Sequence, residues 1–199
     1  MSIVLQGSTS GSVTLQEPAV AGTTVLDLPA VSGTILTTTS PKAGNVLQVV
    51  QGFSSASFST NSGSATDITG LTATITPTSS SSKILILSAL QVSYDPNNST
   101  YGRFIIVRNG STVYQGDAIS SAIRVSMGAN LDGGAGTNNI FTAASNYLDS
   151  PATTSALTYK WQVYTYDSRT IYVNRTASVV DAGASVASTS SIILMEIAG

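Results

Sequence analysis

The chain has 199 residues, ten acidic and eight basic, and a net charge of −2. That length fits one ordinary domain, or one domain with an arm. Scattered Lys and Arg give no nucleic-acid footprint. The lack of Cys removes disulfides and thiolate chemistry, and the lack of His removes the commonest general base and zinc ligand.

Charged residues make up only 9% of the chain, and mean hydropathy is +0.23, so solubility rests on the 58 Ser and Thr residues. Met1-Ser-Ile-Val-Leu lacks a basic region and a long apolar stretch, which predicts a chain without a signal peptide, made in a cytoplasm. The longest apolar run, Ile84–Leu87, is too short to insert in a membrane.

The chain opens on a repeat. Gly11, Gly22, Gly33 and Gly44 recur every eleven residues, with Pro18, Pro29 and Pro41 between or near them. Prolines and β-branched residues forbid a continuous helix. The reading is a series of short extended pieces joined by Pro/Gly turns, with Val13, Leu15, Val25, Leu26, Leu28, Ile35 and Leu36 as their apolar residues. Units this small bury no face of their own. The regular return of large aliphatics favours an arm that docks or intertwines over a disordered linker. Residues 1–44 are therefore read as an attachment arm and residues 45–199 as a head.

In the head, strands are predicted at Asn45–Phe53, from Phe58, at Leu71–Ile75 and at Lys83–Tyr94. Tyr101–Arg108, Asn109-Gly110 and Ser111–Gln115 form the clearest local signal, because Asn-Gly between two β-prone runs favours a type I′ turn. Ser120–Asn139 is rich in Gly, Ala and Asn and is read partly as a long surface loop. Phe141 to Leu148 leads to a turn at Asp149-Ser-Pro151. Leu157, Tyr159, Trp161 and Val163 recur at period two, which makes a half-buried strand with Trp161 facing in. Ile171–Asn174 and Ser191–Ile197 complete the set. No segment holds a helical period, and the sum is an all-β antiparallel sandwich, jelly-roll-like.

Acid–base chemistry falls to carboxylates. Asp132, Asp149 and Asp181 sit beside Gly, Ser-Pro or Ala-Gly, where Asp caps turns, and no pair is spaced for glycoside hydrolysis. No enzymatic activity and no cofactor are expected. Asp132, Asn138 and Asn139 offer oxygens to calcium as a lesser alternative, without the spacing of a dedicated calcium loop. Tyr164 and Tyr166 lie on the face opposite Tyr159 and Trp161. An oligomer interface is the favoured use of them, and a glycan-stacking site is the alternative. Glu196, inside the apolar run Ile192–Ile197, is read as outward on an edge strand; were it inward, it would need a partner such as Arg or Lys. The sequons at Asn98 and Asn174 carry no weight without a secretory signal.

The stretch "GSTSGSVTLQEPAVAGTTVLDLPAVSGTIL" resembles the N-terminal segment common among tail-fibre and other virion-appendage proteins of tailed bacteriophages, especially marine ones. "YLDSPATTSALTYKWQVYT…TIYVNRT" and "SSIILMEIAG" are similar to the C-terminal domain that accompanies it. The resemblance implies a homotrimeric fibre, spike or capsid decoration in the virion. Its arm would attach to other virion proteins and its β-sandwich head would project. It names no catalytic residues. One arm and one head, without a long shaft, favour a short appendage. The rival expectation is a receptor-binding tip that recognises a host surface glycan through Tyr164, Tyr166 or the Gly128–Asn139 loop.

Overall fold

The computed structural model describes residues 3–16, 19–20, 30, 41–94, 100–131, 139–179, 183 and 185–199. The chain divides into two compact units, Met1–Ile35 and Leu36–Gly199. Among the described residues all regular structure is strand.

In the first unit, β1 (Ile3–Gln6) and β2 (Ser12–Leu15) pair antiparallel, with Ile3 opposite Leu15 and Leu5 opposite Val13. The Gly7 N–H donates to the Gly11 carbonyl at 2.8 Å and closes the loop. The sequence reading placed an extended piece at Val13–Leu15 but did not foresee its partner β1. Of the other arm residues named above, Pro18, Val25, Leu26, Leu28, Pro29, Ile35 and Leu36 lie outside the described residues.

The second unit is a sandwich of two antiparallel sheets. One contains β3 (Val46–Ser54), β4 (Phe58–Thr60), β6 (Lys83–Tyr94), β10 (Phe141–Asp149), β12 (Ile171–Val173) and β13 (Ser190–Ile197). The other contains β5 (Thr66–Ile75), β7 (Thr100–Arg108), β8 (Ser111–Tyr114), β9 (Met127–Leu131) and β11 (Leu157–Thr165). Long β6 carries β10 along one edge; along the other it carries β13 and then β12.

Alternation decides which side chains meet between the sheets. Ile84, Ile86, Leu90 and Val92 of β6 point inward with Ile192 and Leu194 of β13. Phe104, Ile106, Tyr159, Trp161 and Val163 come from the other sheet, and all of these are buried. Burying each large side chain contributes about 1.5–3 kcal/mol. Trp161 is fully enclosed, as its period-two neighbours predict.

Asn109 and Gly110 both adopt positive φ, 49° and 86°, which a type I′ turn requires, and β7 and β8 pair across them with Arg108 opposite Ser111. Gly52 marks a close approach of β3 to β5: a Cβ there would lie 2.2 Å from the Thr72 carbonyl oxygen.

Two elements differ from expectation. β9 forms inside the stretch read partly as loop, because pairing with Thr100–Phe104 of β7 organises a segment with little aliphatic signal of its own. β5 begins at Thr66, five residues before the alternation at Leu71, since a bulge opposite Trp161 interrupts the period.

The two outward sides of the sandwich are unlike. On the second sheet Thr72, Thr74, Thr158, Lys160, Gln162, Arg103 and Tyr164 point out, with Ile105 and Val107 as buried exceptions. Lys160 pairs with Asp67, and Gln162 Nε2 donates to the same carboxylate at 2.6 Å. The outward positions of the six-stranded sheet are mostly aliphatic.

Candidate functional site

The hairpin of the first unit is amphipathic. Its register gathers Ile3, Leu5, Val13 and Leu15 on one side and Val4, Gln6, Ser12 and Thr14 on the other. The four aliphatic side chains are 45–61% exposed. A two-stranded ribbon is marginal in water by itself.

In the second unit, an open groove of about 440 Å³ is lined by Tyr101, Arg103, Ile123, Val125, Gly128 and Tyr166. Tyr166 is 68% exposed and meets Tyr101 edge to face, ring centres 6.2 Å apart. The Arg103 guanidinium lies 5.0 Å from the centre of the Tyr166 ring and 5.5 Å from that of Tyr164. This cation–π arrangement holds a positive charge against two electron-rich faces.

Tyr166 and Gly128, both named from sequence, thus share one groove, and Tyr164 stands beside it, half-buried, under Arg103. Arg103 was not foreseen. Its signal is the cross-strand pairing of Arg103 with Tyr164, which appears only once β7 and β11 are in register. Asp132 and Asn138, two of the oxygens offered to calcium from sequence, lie outside the described residues, as does Asp181. Among the described residues no three acidic side chains gather as a metal site.

Two carboxylates expected at turns or edges are instead buried structural groups. Glu196 has no exposure and lies on β13, between β3 and β6, so it is neither outward nor on an edge. Among the described residues it has no cationic partner. Its Oε2 accepts from Gln48 Nε2 at 2.6 Å, and its Oε1 accepts from the backbone N–H and the hydroxyl of Thr78, both at 2.7 Å. Burial pushes this carboxyl up, but the hydrogen bonds from Gln48 and Thr78 outweigh it and hold the group below its ordinary range. The nearby Ser82 hydroxyl adds to the lowering, although it makes no hydrogen bond of good geometry.

Asp149 is the other. It ends β10 and faces the core, where it accepts the Tyr159 hydroxyl at 2.7 Å and pairs with Arg108, linking strands of both sheets. Burial, with the adjacent carboxylate, pushes the Tyr159 hydroxyl well above the ordinary tyrosine value. Arg108 is held above its usual value: burial opposes its charge, and the Asp149 hydrogen bond more than compensates.

Asn174, the sequon residue, is buried at φ 62°. Its amide donates to the carbonyls of Ser54 and Ala56 and accepts from Ser190 Oγ. That explains its identity without glycosylation.

No protein-family model and no curated protein matches the chain. Among solved structures it is similar to the structure of infectious bursal disease virus Gt strain, at 16% identity and a TM-score of 0.41. The match covers 96% of this chain and 48% of that one, so this chain spans about half the length of its neighbour. A likeness this distant carries no functional assignment.

Proposed function

We propose that the protein is a structural component of a bacteriophage virion: a homotrimeric short fibre or capsid decoration whose N-terminal arm attaches to the particle and whose β-sandwich head projects. The observation that carries this reading is the exposed apolar face of the β1–β2 hairpin. Four aliphatic side chains, each about half exposed on a ribbon that cannot form a core, gain about 1 kcal/mol each when a partner covers them. The resemblance of the repeated N-terminal phrase to virion-appendage arms supports another virion protein as that partner. On this reading the protein is made in the host cytoplasm, ends in the virion, and performs no catalysis.

The test is a full-length Val13→Asp/Leu15→Asp variant, expected to fold its head and fail to incorporate into particles. Incorporation at the normal level refutes the reading.

The groove between Tyr101 and Tyr166 favours a second reading, a receptor-binding tip for a host surface glycan. Sugar C–H groups stack on tyrosine faces, and Arg103 adds a hydrogen-bond donor. Binding on a glycan array that disappears in Tyr166→Ala supports this second reading. Adsorption unaffected by the same change refutes it.

A further inference from the structure

The outward face of the six-stranded sheet forms rows across β3, β13, β6 and β10. One row is Phe53, Ser191, Ala89, Ala144; the next is Gln51, Ile193, Leu87, Asn146; the third is Val49, Met195, Leu85, Leu148. Beyond it Val46 and Ile197 lie beside Lys83. The third row is wholly apolar, and Ile193 and Leu87 extend it. Polar Gln51, Ser191 and Asn146 stand at its margin. Val46, Val49, Phe53 and Leu148 are each 46–56% exposed. Among the described residues the three rows carry no charged side chain; Lys83 stands beyond them, and the Arg175 guanidinium lies 4.3 Å from the centre of the Tyr172 ring. An apolar centre inside a polar margin is the anatomy of a protein–protein interface.

We infer that this face packs against the same face of two further copies of the chain around a threefold axis. The inference deepens the proposed homotrimer by assigning its contact surface. Three features favour copies of this chain as the occupant. A face without net charge at its centre does not repel its own copy, whereas a charged one does. Four strands of three to four outward residues each span about 500 Å², the size of the largest patch on a typical monomer, a patch that is often functional. Strand spacing makes the face about 19 Å wide. Three such faces closed into a triangular prism lie about 5.5 Å from the common axis, close to half the ~10 Å at which sheets pack face to face. Their side chains therefore meet at the axis without leaving a channel.

The experiment measures the mass of the full-length protein in solution by light scattering. Three times the 20.3 kDa chain is expected. In full-length Leu85→Glu/Met195→Glu the mass should fall to one chain while the emission of core Trp161 stays unchanged. A wild type that runs as a monomer or a dimer overturns the inference, as does a folded double variant that remains trimeric.

Because the chain has no cysteine, a single Met195→Cys thiol gives a second, milder measurement. A bulky maleimide should label it at least tenfold more slowly than the same thiol in a Leu85→Glu background, and equal rates overturn the inference. The Val13→Asp/Leu15→Asp variant separates this inference from the attachment reading. A trimer that incorporates normally strikes only attachment. A trimer that dissolves on arm substitution but survives face substitution overturns the face.

Discussion

The two outward sides of the sandwich are made by strands of similar length and the same pleat, yet they solve opposite problems. On the β5–β11–β7 side Thr72, Thr74, Thr158, Lys160 and Gln162 meet water, and the charges present compensate one another through Asp67. On the β3–β13–β6–β10 side the same alternation delivers Val49, Met195, Leu85 and Leu148. Period-two patterning specifies two faces for every strand, but only the chemistry of the second face says whether the partner is solvent or protein. The nearly continuous apolar run of β6 is what a strand covered on both faces looks like.

The sharpest way to break this comparison is from beneath the apolar face. Glu196 is the inward neighbour of Met195, and its oxygens satisfy three donors. Glu196→Ala should cost about 3 kcal/mol in urea unfolding at neutral pH, because the Thr78 N–H and the Gln48 amide lose a buried acceptor. Across the core, Asp149→Ala should cost about 2–4 kcal/mol by the same measurement, since it strands the Tyr159 hydroxyl and the Arg108 charge.

Acidity sharpens the contrast further. The Glu196 carboxyl titrates lower in the folded chain than in the unfolded one. Its stabilisation is therefore fully present above about pH 4.5, its unfolded value, and is lost as the pH falls through the folded value. The stability gap between wild type and Glu196→Gln should shrink between pH 6 and pH 3. Asp67 is also held low, by its hydrogen bonds to Lys160 and Gln162, but it titrates alike in both proteins and cancels in the difference. A gap that widens in acid contradicts the hydrogen-bond account.

The smallest effect belongs to the solvated side. Lys160→Ala removes an ion pair whose acidic partner is about half exposed, and should change the unfolding midpoint by an amount equivalent to less than about 1 kcal/mol.

Much of the head was legible because its signals are local. Asn109-Gly110 demands positive φ whatever surrounds it, and Leu157, Tyr159, Trp161 and Val163 declare their inward face by spacing alone. β9 was not legible, since Gly128 and its neighbours become a strand only when β7 offers them a ladder. Asp149 and Glu196 were misread for a related reason. A carboxylate beside Ser-Pro looks like a turn cap, and one inside an aliphatic run on the last predicted strand looks like an edge residue. Only the fold brings Tyr159 and Arg108, or Gln48 and Thr78, within hydrogen-bonding distance of them. Arg103 escaped notice in the same way, because the register of β7 against β11 is not written in either strand separately.

The position of β13 has a consequence for biosynthesis. This strand is translated after every other strand of the head, yet it occupies the gap between β3 and β6. While the ribosome is still making the chain, β3 and β6 have no ladder partner to join them, and Ile192 and Leu194 are missing from the core. The nascent head can gather its hairpins early but cannot close. Closure waits for β13, so the rows that include Ile193 and Met195 are completed only once that strand is in place.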